Sequence, residues 1–244
     1  GYNNEATANH ATVGGGNNNT ASGQYATVGG GWENTASYWY ATVGGGESNT
    51  AAGDYSFAVG RKAKIGATHH GTFIFADQTN ADFNSAAANE FAVRADGGFR
   101  LYTKHDLSAG VTMGTGSGSW SSVSARATKE NFTPVDVIAV LEKVASMPVE
   151  EWNYKAQEDS IRHIGPMAED FRAAFGVGDF VGRITSTDAD GVALAAIQGL
   201  NLKLEANLEE TRGELAQKQA EIDSLREQFA SLEQRLLAME ASMN

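Results

Sequence analysis

ATVGGGNNNTAS (residues 11–22) returns as ATVGGGWENTAS at 26–37 and as ATVGGGESNTAA at 41–52, three copies at a fixed spacing of 15 residues. A period this short, held in strict phase, predicts a β-solenoid, because one unit buries almost nothing alone and needs a stacked neighbour on each side. Each unit supplies a small pair (Thr12 and Val13, Thr27 and Val28, Thr42 and Val43), then three glycines for positive φ or close backbone approach. Asn19, Asn34 and Asn49 follow and suit an Asx-type turn. The inward residues are mostly Ala, Val and Ser, so the coil is expected to be thin, with several chains sharing a core. Tyr38, Trp39 and Tyr40 stand out against the small residues Ser22, Gly23 and Gln24 or Ala52, Gly53 and Asp54. They are read as packing between chains, with a sugar- or protein-binding patch as the alternative.

The rest of the composition narrows the function. The chain has 244 residues and no cysteine, which rules out disulfides and thiolate metal sites. Its 28 glycines against 3 prolines are not collagenous. The formal net charge of −12 divides into −3 for residues 1–123 (6 basic, 9 acidic) and −9 for 124–244 (12 basic, 21 acidic), which argues against nucleic-acid binding. No apolar run reaches the roughly 18 residues that would span a bilayer, so no membrane insertion is expected. Gly1 opens directly into repeat sequence, as a C-terminal part of a longer chain would. No cofactor is expected, and His69-His70 has no second ligand cluster nearby, so no metal is expected either.

From Ser56 to Val123 short β-rich runs such as Phe91-Ala-Val-Arg94 and Phe99-Arg-Leu-Tyr102 alternate with turn signals such as Asp96-Gly97-Gly98, and a β stem or neck is predicted. Gly114 to Ser122 reads as a flexible strand carrying Trp120. Then comes Ser124-Ala125-Arg126-Ala127-Thr128-Lys129-Glu130-Asn131, a hydroxyl nucleophile five residues before an amine, at the junction of two unlike architectures. Serine needs a base, and a lysine kept neutral by burial can supply one. The spacing alone proves little.

Beyond the junction, apolar residues at 137, 138, 141 and 144 form a helical stripe, with Thr133 as the predicted N-cap, Pro134 at the first helical position and Pro148 as the stop. Trp152 and Tyr154 alternate as in a strand, and a compact α+β domain is expected here. From Leu194 a heptad runs unbroken. Its seam comprises Leu194, Ile197, Leu204, Leu208, Leu215, Ile222, Leu225, Phe229, Leu232, Leu236, Met239 and Met243, interrupted by the polar residues Asn201, Thr211 and Lys218. Such a helix is too long for a monomer to cover, so a parallel coiled coil is predicted, with the polar residues fixing register and strand number.

Two resemblances join these parts. Residues 1–60 resemble the head repeats of trimeric autotransporter adhesins, which implies a left-handed parallel β-roll with three chains side by side. The runs KENFTPVDVIAVLEKVASMPVEEWNYK, RHIGPMAEDF and DGVALAAIQGLNLKLE resemble the C-terminal intramolecular chaperone of phage tailspikes and tail fibres, the endosialidase-type self-cleaving family. That resemblance implies Ser124 as nucleophile, the Val123–Ser124 peptide as scissile bond, Lys129 as the other half of a Ser/Lys dyad, and His163 as a weaker candidate assistant. The motif neighbours are Ala125, Arg126, Glu130 and Asn131. The family has aspartate where this chain has Ala125, so slow or absent cleavage is implied, whether alanine is tolerated there or was introduced to preserve the uncleaved chain.

The organisation expected is therefore a homotrimer: head repeats over 1–60, a β stem or neck over 61–123, a chaperone domain over 124–200 and a coiled coil over 201–244. The function expected is that of the C-terminal part of a virion tail fibre or tailspike, whose chaperone templates trimeric folding and is released by single-turnover autoproteolysis. Its partner is itself, and the mature fibre is expected to engage a host-surface glycan or protein. The alternative is a bacterial surface adhesin with a permanent stalk, which should end in a membrane-anchoring β segment. An enzyme acting on a separate substrate finds no carboxylate pair or metal cluster in support.

Overall fold

A computed structural model describes the chain through residue 243, with side chains of the last helix through Met239. The heptad position at Met243 therefore has no described side chain, and Asn244 lies outside the described residues. The chain divides into two units, Gly1–Glu130 and Asn131–Asn244.

The first unit opens as a parallel β-solenoid of about six turns built on two sheets. One sheet stacks Glu5–Ala6, Thr20–Ala21, Thr35–Ala36, Thr50–Ala51, Ala63–Ile65 and Phe83–Asn84; the other stacks Thr12–Val13, Thr27–Val28, Thr42–Glu47, Phe57–Arg61, Phe73–Ala76 and Phe91–Arg94. In each strand alternate residues point inward, so Ala26 and Val28 are buried while Thr27 between them faces out. The core is a file of Ala21, Val28, Ala36, Val43, Ala51, Ala58, Ile65 and Ile74, all inaccessible or nearly so within one chain. The head thus closes its own thin core, where a core shared among chains was expected. Small side chains allow the two sheets to lie close enough to exclude water without help.

The solenoid also runs well past residue 60. Pairing begins at a spacing of 15 (Thr12 with Thr27) and then becomes 14 (Thr50 with Lys64), 16 (Phe57 with Phe73), 18 (Phe73 with Phe91) and 20 (Ala63 with Phe83). Extra residues are absorbed by the loops while the strands hold their stacking. Phe57, Phe73 and Phe91 mark the continuation, their rings stacked at 5.1 and 5.0 Å. Arg94 fastens the last coil: it bonds Asp77 Oδ1 at 3.0 Å and the carbonyls of Ala81 and Thr79. The Asp96 N–H, 2.7 Å from Oδ2, together with bonds from Thr79 and Arg94, holds the Asp77 carboxyl well below the usual carboxylate range.

Two ladders run along the coil, and neither was anticipated. The repeat asparagines are not surface turn residues; Asn19, Asn34 and Asn49 are fully buried. Asn34 accepts at Oδ1 from the backbone N–H and the side-chain amide of Asn49, both at 3.0 Å. Its own amide donates to Asn19 Oδ1, Gly30 O and Gly46 O at 2.8–3.0 Å. Every polar atom is paired, which is why the position takes asparagine and no other small residue. The third glycine of each triplet makes this possible: Gly31 sits at φ +103°, and a Cβ there would lie 2.1 Å from Gly46 O. Asn34→Asp replaces the donating amide by an oxygen facing three acceptor oxygens, and puts a charge where water is excluded. It is expected to destabilise the head by about 3–5 kcal/mol at neutral pH. Lowering the pH through protonation of that carboxyl should recover part of the loss, because the neutral acid regains one donor; thermal unfolding at pH 7 and pH 4 reads both effects.

The second ladder stacks His10, Tyr25, Tyr40 and Tyr55 at centroid distances of 4.7, 4.9 and 5.1 Å, the ring planes nearly parallel. All four hold left-handed backbone (φ +55° to +60°), a strain of order 1 kcal/mol each that the turn hydrogen bonds and ring stacking offset. Tyr40 therefore belongs to the repeat, aligned with Tyr25 and Tyr55. Only Tyr38 and Trp39 are exceptional, standing where other turns have Gly23-Gln24 and Gly53-Asp54.

After the solenoid, Phe99–Tyr102, Gly110–Met113 and Ser121–Ser122 form a three-stranded antiparallel sheet, with Trp120 edge-on to Phe99 at 6.3 Å. The segment 114–122 is thus a turn and an edge strand.

In the second unit, α1 (Val137–Ser146) is capped by Asp136, whose Oδ1 accepts from the N–H groups of Ile138 and Ala139 at 3.1 and 3.0 Å. The start lies three residues beyond the Thr133-Pro134 expectation, because a carboxylate is favoured at the positive end of the helix dipole. Glu150–Trp152 pairs with His163–Gly165, and α2 (Ala168–Phe175) ends at Gly176 in left-handed conformation. The last element, α3 (Ser186–Met243), is a single helix of 58 residues, about 87 Å at its full length. Its first turns pack on α1 through Ala196 and Gly199, and a Cβ on Gly199 would lie 2.2 Å from Val137 O. From Asn201 to Met239 every described residue is exposed.

Candidate functional site

Val123 leaves the antiparallel sheet with its N–H donating to Gly110 O at 3.0 Å, so the residue that carries the carbonyl of the Val123–Ser124 peptide is tethered to the sheet's central strand. Immediately beyond, Arg126–Thr128 form one turn of 3₁₀ helix. The Thr128 hydroxyl and N–H both donate to Ala125 O, at 2.7 and 3.0 Å, and the Lys129 N–H donates to Arg126 O at 3.1 Å. This turn doubles the chain back, and Lys129 Nζ meets Ser124 Oγ at 2.7 Å. Five residues of extended chain would separate the two Cα atoms by about 16 Å; the turn removes that distance.

Both side chains are exposed within the single chain. Lys129 Nζ donates to the Ser124 hydroxyl, and accepting the hydroxyl proton requires the neutral amine. Ala125 occupies the N-cap of the 3₁₀ turn in extended conformation (φ −66°, ψ 144°) and makes no side-chain cap bond. An aspartate or serine at that position could accept from the first N–H groups of the turn. Arg126, Glu130 and Asn131 are exposed, with Asn131 in left-handed conformation at φ +57°.

His163 belongs to the second unit. Its ring packs against Trp152 and Tyr154 at 4.8 and 5.4 Å, and its Nε2 lies 2.9 Å from Gln157 Oε1. These contacts give it a structural setting in which one ring nitrogen is already engaged. His69 Nδ1 lies 2.6 Å from Ser85 Oγ, and His70 Nδ1 accepts from the Asp54 N–H at 3.0 Å. Among the described residues no group of three or more His, Asp or Glu side chains is placed to hold a metal ion, and no helix is long and apolar enough to cross a membrane.

The heptad residues Leu194, Ile197, Leu204, Leu208, Leu215, Ile222, Leu225, Phe229, Leu232, Leu236 and Met239 all lie exposed along α3. In its first turns the helix carries two stripes, small residues against α1 and leucines away from it. Asn201 and Thr211 satisfy their side chains within the helix, on Glu205 Oε1 and Asn207 O.

Residues 124–178 match the family described as chaperone of endosialidase, and the match begins at Ser124 itself. It supports the chaperone resemblance for that segment and, with the β-solenoid upstream, fits a fibre or tailspike carrying a chaperone domain. No curated protein and no solved structure matches the chain.

Proposed function

We propose that this chain is the C-terminal part of a trimeric phage fibre or tailspike. Its chaperone segment and helix bring three chains into phase and are then released by cleavage between Val123 and Ser124. The observation that carries the reading is the 2.7 Å contact between Lys129 Nζ and Ser124 Oγ at the first residue of the chaperone match.

The chemistry is an N-to-O acyl shift. Ser124 Oγ attacks the carbonyl carbon of Val123 while its proton passes to neutral Lys129. The C–N bond then breaks, the proton moves to the departing Ser124 nitrogen, and Val123 is left as an ester on Ser124 Oγ. Water opens the ester, giving a Val123 carboxylate and restoring the hydroxyl. Because both groups are open to water in one chain, the neutral amine has to come from burial against neighbouring chains, which makes assembly the trigger. His163 has no step in this scheme.

The test is the mass of the chain after expression and prolonged incubation. Fragments 1–123 and 124–244 are expected to accumulate slowly, the second with Ser124 at its amino terminus, and Lys129→Met should leave the chain whole. Fragments with any other boundary, or unchanged cutting in Lys129→Met, would remove the dyad from the mechanism.

A further inference from the structure

Tyr38 and Trp39 interrupt an otherwise regular turn. The equivalent positions are Gly23 and Gln24 one coil away and Gly53 and Asp54 on the other side. A Cβ on Gly23 would lie 2.0 Å from Tyr38 O and one on Gly53 2.3 Å from His69 O, so the backbone of the next coil holds both flanking turns to glycine. Tyr38 and Trp39 are 37% and 56% exposed, whereas the repeat residue Tyr40 is held in the ring stack. Asp54 lies beside them: its Oδ1 accepts from the Trp39 N–H at 3.1 Å, and its Oδ2 is 3.4 Å from His70 Nδ1. The His70 ring stands 6.4 Å from that of Tyr38. Ser37, Tyr38, Trp39 and Asp54 line a shallow, largely open cleft.

We propose that this cleft binds an uncharged saccharide. The C–H faces of a pyranose stack on exposed aromatic rings, and its hydroxyls need adjacent acceptors and donors, here the Asp54 carboxylate, the Ser37 hydroxyl and the His70 ring. The Asp54 carboxylate at the site, within residues 1–123 of net charge −3, disfavours a sialylated or uronic ligand. A contact between copies running along the coil would repeat at every turn, as the tyrosine stack does. This aromatic pair occurs at one turn only, which marks a local site. The site lies in the head and is independent of cleavage at Ser124.

The experiment applies the full chain to an array of immobilised neutral and sialylated oligosaccharides, alongside Trp39→Gln, which installs the side chain that the repeat has at position 24, and Asp54→Asn. Binding to neutral oligosaccharides is expected, reduced at least tenfold by Trp39→Gln and severalfold by Asp54→Asn, with oligomeric mass and melting temperature unchanged. Absence of neutral binding, preference for sialylated ligands, or equal binding by Trp39→Gln would overturn the proposal. A changed oligomeric mass in Trp39→Gln would overturn it too, by assigning the rings to contact between copies.

Discussion

Under the proposed function, Leu225→Asp combined with Leu232→Asp is expected to convert a trimer that cuts itself slowly at Ser124 into an uncut monomer. In the single chain these leucines are 62% and 54% exposed on the stretch 201–239, where every described residue is exposed, so aspartate costs little in the fold of one chain. Any large effect must come from a partner. In a three-stranded seam each substitution places three like charges in one apolar layer, a cost of several kcal/mol per layer. Sedimentation equilibrium should fall from three times 25.8 kDa to 25.8 kDa, and cleavage should stop because Lys129 loses its cover. Circular dichroism should show the β-solenoid retained, since its core closes within one chain. Efficient cutting by a variant shown to be monomeric would make the site an ordinary intrachain protease, and a wild-type chain that sediments as a monomer would remove the trimer.

That division of labour differs from the one the repeats suggested. The strands of the head pair at spacings of 14–20 residues inside one chain, so winding a single coil is a local event that needs little template. In the proposed trimer the harder step is setting three chains side by side in one register, because a coil slipped by a whole turn against its neighbour would find an almost identical surface. A long helix with apolar layers broken by Asn201, Thr211 and Lys218 has one best alignment, and imposing that alignment is the part assigned here to the chaperone end.

The repeat was legible because its phase is strict over three copies, and the long heptad because its leucines recur without interruption. The continuation to Arg94 was hidden by loops of unequal length; the Phe57, Phe73 and Phe91 stack was its only trace in the sequence. Asn19, Asn34 and Asn49 were read as turn residues because polar, glycine-rich surroundings suggest exposure. Their burial follows from coil closure, which puts the carbonyl of one coil beside the amide of the next and has no counterpart along the chain. At the site, Ser124 and Lys129 were visible as a spacing. The 3₁₀ turn that joins them was not, since Ala-Arg-Ala-Thr carries no strong cap and its stability rests on Thr128 bonding back to Ala125 O.

That turn makes Ala125 the most informative position in the junction. It is the N-cap of Arg126–Thr128, its backbone is already extended as a cap requires, and its methyl group offers the turn nothing. A carboxylate there, the residue that the self-cleaving chaperone family carries, would accept from the N–H groups at the start of the turn, an interaction of about 1 kcal/mol. It would also place a negative charge one residue from the serine, on the turn that carries Lys129. Holding the hydroxyl and amine together for a larger fraction of the time raises the rate in proportion, so Ala125→Asp is expected to speed cutting between Val123 and Ser124 by about fivefold from the cap alone, measured as the half-time of fragment appearance on a denaturing gel. Ala125→Asn, which caps without charge, should recover most of that gain if capping is the cause, and little of it if the carboxylate acts on the lysine. In the Ala125→Asp background, Ser124→Ala should stop the reaction completely. The same two fragments appearing in that double variant would show that Ser124 is not the nucleophile.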